Sequence, residues 1–548
     1  MQETQKLAAR AVAGGASCDN IGVLAGLGSG GDHMQNVERD LHTRCRGIPQ
    51  YNIDTVVAED GKLKPACVPI ILPHEFVYTC WRHDESDFHG RFLPSEGPEE
   101  LLKCWHNMRQ HQWFSDHPAH EHVQLDAEAS QCIPIRIHGD DAPLHQGSSM
   151  LVTQMSSAMS KLGSWKSRCL ISVVLLSMVV PDITDRVLWE TIAWSLRALA
   201  CGEMPSLDEH GEPLSGWRKS AAGKRIAGPY KFFLTGILGD WKWLQEQYKF
   251  AGYYGRDRCC FKCNAGKRDA AIPAYDFRDE AAWRSHLIDH HDYMLSIGQY
   301  LASTSLPGWN LNLVMPDLMH VLFLGVLPFA VGGIMWELCL ENYWPAPPSG
   351  TWQHRRNEQL EAAYSHFKVW CKHSVLSHSQ NKFTVGRLGM RTLDSTPELK
   401  AKAANCFTVA RWLVSVLSSM PLGNPTHQSR LCMLWGFVQS VLVLKEAGNF
   451  LTDAHAATLE ETRAAALFCY KQLSFMHVNR FPLKPKIHMY DHIMRDAVRT
   501  RYNPINNWCF ADEGFLKLLK AIASKCHRSV VSSRCIQRYG LAVFADED

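Results

Sequence analysis

Charge imbalance is almost missing from this chain of 548 residues: 57 lysines and arginines face 55 aspartates and glutamates, for a formal net charge of +2. A global electrostatic attraction to nucleic acid is therefore excluded, and any such binding must come from local patches. There is no clear internal repeat and no low-complexity tract, which sets repeat arrays and linker-like chains aside. The first residues, MQETQKLAARAVAGGAS, hold no apolar stretch flanked by a cleavage site, so a secretory leader is not expected. In a protein that is not secreted, the 19 cysteines are expected as reduced thiols, some of them metal ligands, rather than as a disulfide framework. A membrane span is not expected either. The most apolar run, 321–336, carries Pro328, is bounded by His320 and Glu337, and falls short of the ~20 residues a spanning helix needs. It reads as a buried helix of a soluble protein.

What is present suits a large globular chain. Hydrophobic residues make up 46% and charged residues 20%, an ordinary balance that argues against disorder. The length allows a sizeable core in two to four units. Residues 1–125 mix helical periodicity with loops and read as a mainly helical accessory region. From 126 the pattern changes. Ile133, Ile135 and Ile137 alternate as a strand running into Gly139-Asp140-Asp141, 150–153 suggests a second strand, and CLISVVLLSMVV (169–180) is apolar on both faces, as in a central strand. An amphipathic helix is predicted over 183–199 with Asp182 as its cap, then a buried strand over 230–238 ending at Gly239-Asp240. Three strands, a helix and a strand, with an acid after the first and last, is the order of a ribonuclease H-like core. The fold class expected is thus α/β, a mixed sheet in 126–265. Over 266–480 the strand signals vanish and long helical patterns take over (281–294, 318–340, 357–373, 398–417, 429–445 and 453–475), which reads as an all-helical insertion. Residues 481–548 return to the core, with KPKIHMYDH and a last helix opening near Asp512.

Three acids sit where chemistry would need them: Asp140 in IPIRIHGDD, Asp240 in FFLTGILGDW and Glu513 in CFADEGFLKLL. Two Asp at adjacent strand ends and a Glu on a helix beside them can hold two divalent ions about 4 Å apart, the arrangement that stabilises both attacking and leaving oxygens of a phosphodiester. Hard oxygen ligands select Mg²⁺ or Mn²⁺. Taken singly, each acid is as readily a helix cap or a surface carboxylate. Asp141 and Asp512 are neighbours that pattern alone does not exclude.

Cys260-x-x-Cys263 has the spacing of two thiolate ligands of a tetrahedral zinc. The other two ligands come either from His488 and His492, at i, i+4 after Pro485, or from His286 and His290, at i, i+4 on the predicted 281–294 helix. The first pair is favoured because it would clamp the far end of the insertion to the strand bearing Asp240. Asp317 and His320 open the apolar helix, Asp317 as a cap and His320 as a packed histidine or as a neighbour of the metal pocket. Arg218, Lys219, Lys224 and Arg225 before the Asp240 strand, and Lys517, Lys520, Lys525, Arg528, Arg534 and Arg538 after Glu513, are a weak basic footprint for DNA phosphates.

The stretches HGDDAPL, ILGDW with CCFKC, MPDLMHVLFLGV, KPKIHMYDH and CFADEGFLKLLKAIASKCH resemble, in their order, DDE transposases with a ribonuclease H-like core. The likeness is to the CACTA and Kyakuja-Dileera-Zisupton (Plavaka-like) assemblage, and it spans about 125–540. The resemblance implies that Asp140, Asp240 and Glu513 are catalytic and hold Mg²⁺ or Mn²⁺, and that Asp317 and His320 match a D-x-x-H signature in the insertion. The layout is also similar to the catalytic core of the V(D)J recombinase, which supports a structural Zn²⁺ on Cys260, Cys263, His488 and His492. Relatives usually carry Gly where this chain has Asp141. The expectations that follow are cleavage and strand transfer on double-stranded DNA, a nuclear location, no membrane and a homo-oligomer. The alternative is an inactive or domesticated relative that binds DNA or protein. A cellular ribonuclease H-like nuclease fits less well, given the long helical insertion.

Overall fold

Alternation of apolar side chains builds two sheets in the computed structural model, which describes residues 10–13 and 48–543 apart from 60, 145, 146, 161 and 422. The first is a hairpin of β1 (Tyr51–Glu59) and β2 (Lys62–Ile70), paired antiparallel from Tyr51↔Ile70 to Glu59↔Lys62. The region before residue 125 was expected to be mainly helical. Helices do follow, α1 (Pro73–His83), α2 (Glu85–Phe92) and α3 (Glu99–Arg109), but the hairpin precedes them. Its signal is weak because Ile53, Val57, Val68 and Ile70 are its few fully buried apolar residues.

The second sheet is mixed, in the order β5-β4-β3-β6. Strands β3 (Cys132–Pro143), β4 (Ser149–Ser157) and β5 (Cys169–Leu175) form an antiparallel meander, and β6 (Lys231–Gly239) lies parallel to β3. A parallel neighbour requires a crossover, and helix α4 (Thr184–Cys201) supplies it, packing on β6. All seven residues of β5 are buried, as a strand covered on both faces must be. Beyond β6, Ile237 and Val314 make one parallel bridge, so chain from far along the sequence lies on that edge. Asp182 does not cap α4. It sits in the left-handed region (φ 62°), the residue before the helix is Ile183, and Thr184 Oγ1 accepts the Val180 N–H instead.

Helix α5 (Trp241–Tyr248) follows β6 directly. The stretch expected as a helix over 281–294 is instead a single turn at Ala282–Ser285, a break, and a short helix at His290–Ile297. The long apolar segment opens as a π-helix (Met319–Val326) and continues as α6 (Leu327–Leu340). Together they are long and apolar enough to cross a membrane, yet 89% of that window is buried inside the protein, the behaviour of a core helix. Helices α7 (Trp352–His373), α8 (Ala403–Ser418), α9 (Pro425–Glu446) and α10 (Asp453–Met476) follow. They lead to α11 (Pro485–Thr500), α12 (Phe510–Ala523) and α13 (Val531–Ala542), of which α12 packs on β3 and α13 on β5.

Candidate active site and metal centre

Register brings the first two acids together. The parallel ladder of β3 and β6 ends at the pair Gly139↔Gly239, so Asp140 and Asp240 each stand one residue beyond the last rung, on the same end of the sheet. Asp140 does not end its strand as expected. It lies within β3, opposite Val152 of β4, because β3 outruns β6 and keeps its antiparallel partner to Pro143↔Ser149. Both preceding residues are glycine for one reason, the indole of Trp243. A Cβ on Gly139 would come within 1.9 Å of Trp243 Cζ2, and one on Gly239 within 2.5 Å of its Cε3. Asp240 caps α5, accepting the Trp243 N–H at 2.6 Å. That bond turns the indole back over the strand ends and leaves the other carboxylate oxygen uncommitted.

The third acid arrives from α12. Glu513 is half-exposed, and its Oε1 lies 3.5 Å from His320 Nε2. The other ring nitrogen of His320, Nδ1, is 2.6 Å from Asp317 Oδ2. Asp317 is buried and also accepts the N–H groups of Met319 (2.8 Å) and Cys509 (3.1 Å). It therefore caps the π-helix and orients His320 at once, so the two readings of this pair are one arrangement. Hydrogen bonds thus run from the Cys509 N–H, at the foot of α12, through Asp317 to His320, whose other ring nitrogen stands at ion-pair distance from Glu513.

The neighbouring acids are committed elsewhere. Asp141 points to Lys242 Nζ at 2.7 Å. Asp512 is fully buried and takes both Nε and Nη2 of Arg168 (2.7 and 3.1 Å) and the Gln154 amide (2.9 Å). Adjacent residues on one helix thus face opposite ways, Asp512 into the sheet and Glu513 to the site. The electrostatics follow. Burial opposes the charged form of Asp512, but Arg168, His138 and Arg136 outweigh it and bring the carboxyl to about 2. Asp140 has no such partner: burial first, then the charges of Asp240 and Glu513, push it up to about 8. Glu513 is raised as well, by burial, with His320 pulling the other way. His320 loses by burial and gains more from Asp317, Glu513 and Asp140, so its pKa sits above the ordinary imidazole value. Asp140 and Glu513, both raised, thus act on one imidazole that they raise in turn.

Cys260, Cys263, His488 and His492 converge although more than 200 residues separate the pairs. All four are buried and their ligand atoms lie within 4.8 Å of one another. Cys263 Sγ is 3.2 Å from His488 Nε2 and 3.3 Å from His492 Nε2, and the two Nε2 atoms are 3.2 Å apart. The edges of a tetrahedral S₂N₂ zinc site are about 3.5 Å for S···N and about 3.3 Å for N···N by its usual bond lengths, so the donor set fits Zn²⁺. Trp283 packs against both imidazoles, with centroids 4.9 and 4.4 Å away. The Lys262 N–H donates to Cys260 Sγ at 3.2 Å. The alternative pair does not join this set. His286 is exposed with Nδ1 on the Ala282 carbonyl (2.8 Å), and His290 Nδ1 accepts the Leu311 N–H; the break between their helical turns removes the i, i+4 geometry.

The acids are more widely spread. Among the described residues, the sets of three or more ligand atoms within 4.8 Å are the Cys/His set and His138–Cys509–Asp512. In the latter Asp512 is paired with Arg168 and hydrogen-bonded by the Gln154 amide, so the set is a polar network under the site rather than a second metal centre.

Neither protein-family models nor curated proteins match this chain.

A cavity of about 260 Å³ opens beside Asp240, lined by Trp241, Tyr254, Phe261, His320 and Lys486 among others. Lys486 was not singled out in the sequence, although KPKIH places it two residues before His488. A larger cavity, about 1110 Å³, touches His492 and Trp283 but none of the three acids. The basic footprint is partly spent inside the fold. Arg218 pairs with the buried Glu75 at 2.5 Å, and Arg225 with Glu203 at 3.7 Å. Lys517 is exposed and, among the described residues, makes no ion pair with Glu513.

Proposed function

We propose that this protein is a transposase-like enzyme that cuts DNA phosphodiesters and transfers the freed 3′ ends, on a ribonuclease H-like core interrupted by a long helical insertion. The observation that carries the reading is the convergence of Asp140 and Asp240, one step past the last rung of a parallel strand pair, with Glu513 from a helix over 270 residues later. The strand order β5-β4-β3-β6, a meander with one parallel neighbour, supports it, as do the motif order shared with CACTA and Plavaka-like transposases and the S₂N₂ cluster.

Two Mg²⁺ or Mn²⁺ ions on these carboxylates would supply an activated nucleophile and a stabilised leaving oxygen. Asp140 and Asp240 anchor the site on a rigid sheet end, with Trp243 holding the two strand ends together. Glu513 completes it from α12. His320, fixed through Nδ1 by Asp317, holds a proton at Nε2 against Glu513 Oε1 and moderates repulsion among the carboxyls. Zn²⁺ on Cys260, Cys263, His488 and His492 would have a structural task, since all four ligand positions are filled by protein.

The test is nicking of supercoiled plasmid DNA with Mg²⁺ or Mn²⁺, comparing the intact protein with Asp240→Asn. Asn still caps α5 but removes the charge, and a loss on the order of 10³-fold or more is expected. Intact protein that binds DNA and never nicks it with either ion would sink the enzyme reading and leave a DNA-binding relative in its place.

A further inference from the structure

We infer that Lys486 is a substrate-contacting residue of the same site, gripping a phosphate of the DNA strand next to the one being cut; this rests on the function proposed above. Lys486 lies in the first turn of α11 and lines the cavity that Asp240, Asp317 and His320 also line. Its stem passes over Gly325 of the π-helix so closely that a Cβ there would come within 2.3 Å of Lys486 Cδ. The backbone of the apolar segment is thus shaped to let the side chain through to the cavity.

Two lysines line that cavity, and they differ. Lys242 is neutralised by Asp141 at 2.7 Å. Lys486 makes no hydrogen bond and has no carboxylate oxygen within ion-pair distance among the described residues, although Asp240 and Asp317 share its cavity. A half-buried ammonium held beside acids but bound to none is arranged for an anion that arrives later. A phosphate is the anion that this site would bring, and Lys serves such a role as a compact point charge.

The metal cluster explains how the ammonium is held. His488, two residues on, and His492, one turn further, anchor α11 against Cys263, so the cluster sets the rotation of the helix that aims Lys486. The cluster and the acid site are then connected by less than two helical turns.

Lys486→Gln keeps most of the stem over Gly325 and removes the charge, and Lys486→Arg keeps the charge. Two readouts serve: metal-dependent nicking of plasmid DNA, and the salt dependence of binding to a random-sequence duplex in Ca²⁺. For Lys486→Gln with unchanged zinc content and melting temperature, kcat/KM for nicking falls at least about tenfold, and the slope of log K against log salt falls by about one. Lys486→Arg restores most of both. If the intact protein nicks and Lys486→Gln matches it in both readouts, the inference is overturned while the function stands. If nothing nicks but the slope still falls, the enzyme reading fails and the phosphate contact stands. Unchanged slope without nicking, or no binding by the intact protein, overturns both.

Discussion

Two clusters of candidate metal ligands, one holding His488 and His492 of α11 and one beside the cavity that Lys486 of α11 lines, are built on opposite plans. The Cys/His cluster is closed: four buried donors, ligand atoms 3.2–3.3 Å apart, aromatic packing around them. The carboxylate cluster is open: one acid is buried, one is tied to a helix N-terminus, and one is half-exposed, with a cavity alongside. The closed set spends its interactions on stability. The open set leaves charge uncompensated and is costly until a ligand arrives. That difference is what the two proposed roles, a brace and a reaction site, rest on.

Breaking the brace should have the largest effect. Cys263→Ser and His488→Ala are expected to lose stoichiometric zinc and several of the ~10 kcal/mol that a structural zinc contributes to folding, checked by elemental analysis and thermal unfolding. Retention of zinc by both variants would mean another ligand set.

The neighbours on α12 sharpen the contrast next. Arg168→Met leaves Asp512 buried without its partner and is expected to cost about 3–5 kcal/mol, whereas Glu513→Gln should leave the melting temperature nearly unchanged and remove nicking. Equal destabilisation by the two would erase the distinction between a paired and an open carboxylate.

A smaller effect follows from Asp140. Its folded-state pKa of about 8 stands above the ordinary 3.8. Between these values the folded chain binds more protons than the unfolded one, so stability falls as pH rises through that window. In protein dialysed free of Mg²⁺ and Mn²⁺, Asp140→Asn should melt higher than the natural protein above about pH 8 by at least ~1 kcal/mol. The gap should close near pH 4, and adding Mg²⁺ should favour the natural protein. A pH-independent gap would count against repulsion as its cause.

The smallest effect is none. His286→Ala is expected to keep its zinc, since that ring is exposed and bonded to the Ala282 carbonyl; zinc loss would restore the local pair.

Much of this was legible residue by residue, and the failures have physical causes. The apolar strands at β3, β5 and β6 and the long helices announce themselves because burial leaves either an alternating or a continuous apolar run. The π-helical opening of the apolar helix does not, since a stretch that is apolar all round has no period to read, and its Gly325 cleft is visible only against α11. The end of β3 was misplaced because a strand stops where its last partner stops, and β4 reaches further than β6. Lys486 was overlooked because a lysine in a polar motif says nothing about whether an acid waits nearby to pair with it.

By itself the sequence determined the types and order of the candidate groups: two acids after apolar strands, an acid on a late helix, CxxC, and a histidine pair. Which member of each ambiguous couple faces the candidate site was decided by tertiary structure alone. Asp140 rather than Asp141, and Glu513 rather than Asp512, differ by one position, and one position turns a side chain to the other face of a strand or about 100° around a helix. His488 and His492 rather than His286 and His290 depended on contacts spanning more than 200 residues. Local pattern fixes what a residue can do; only packing and the charges around it, such as Arg168 on Asp512 and Lys242 on Asp141, decide which residue is left free to do it.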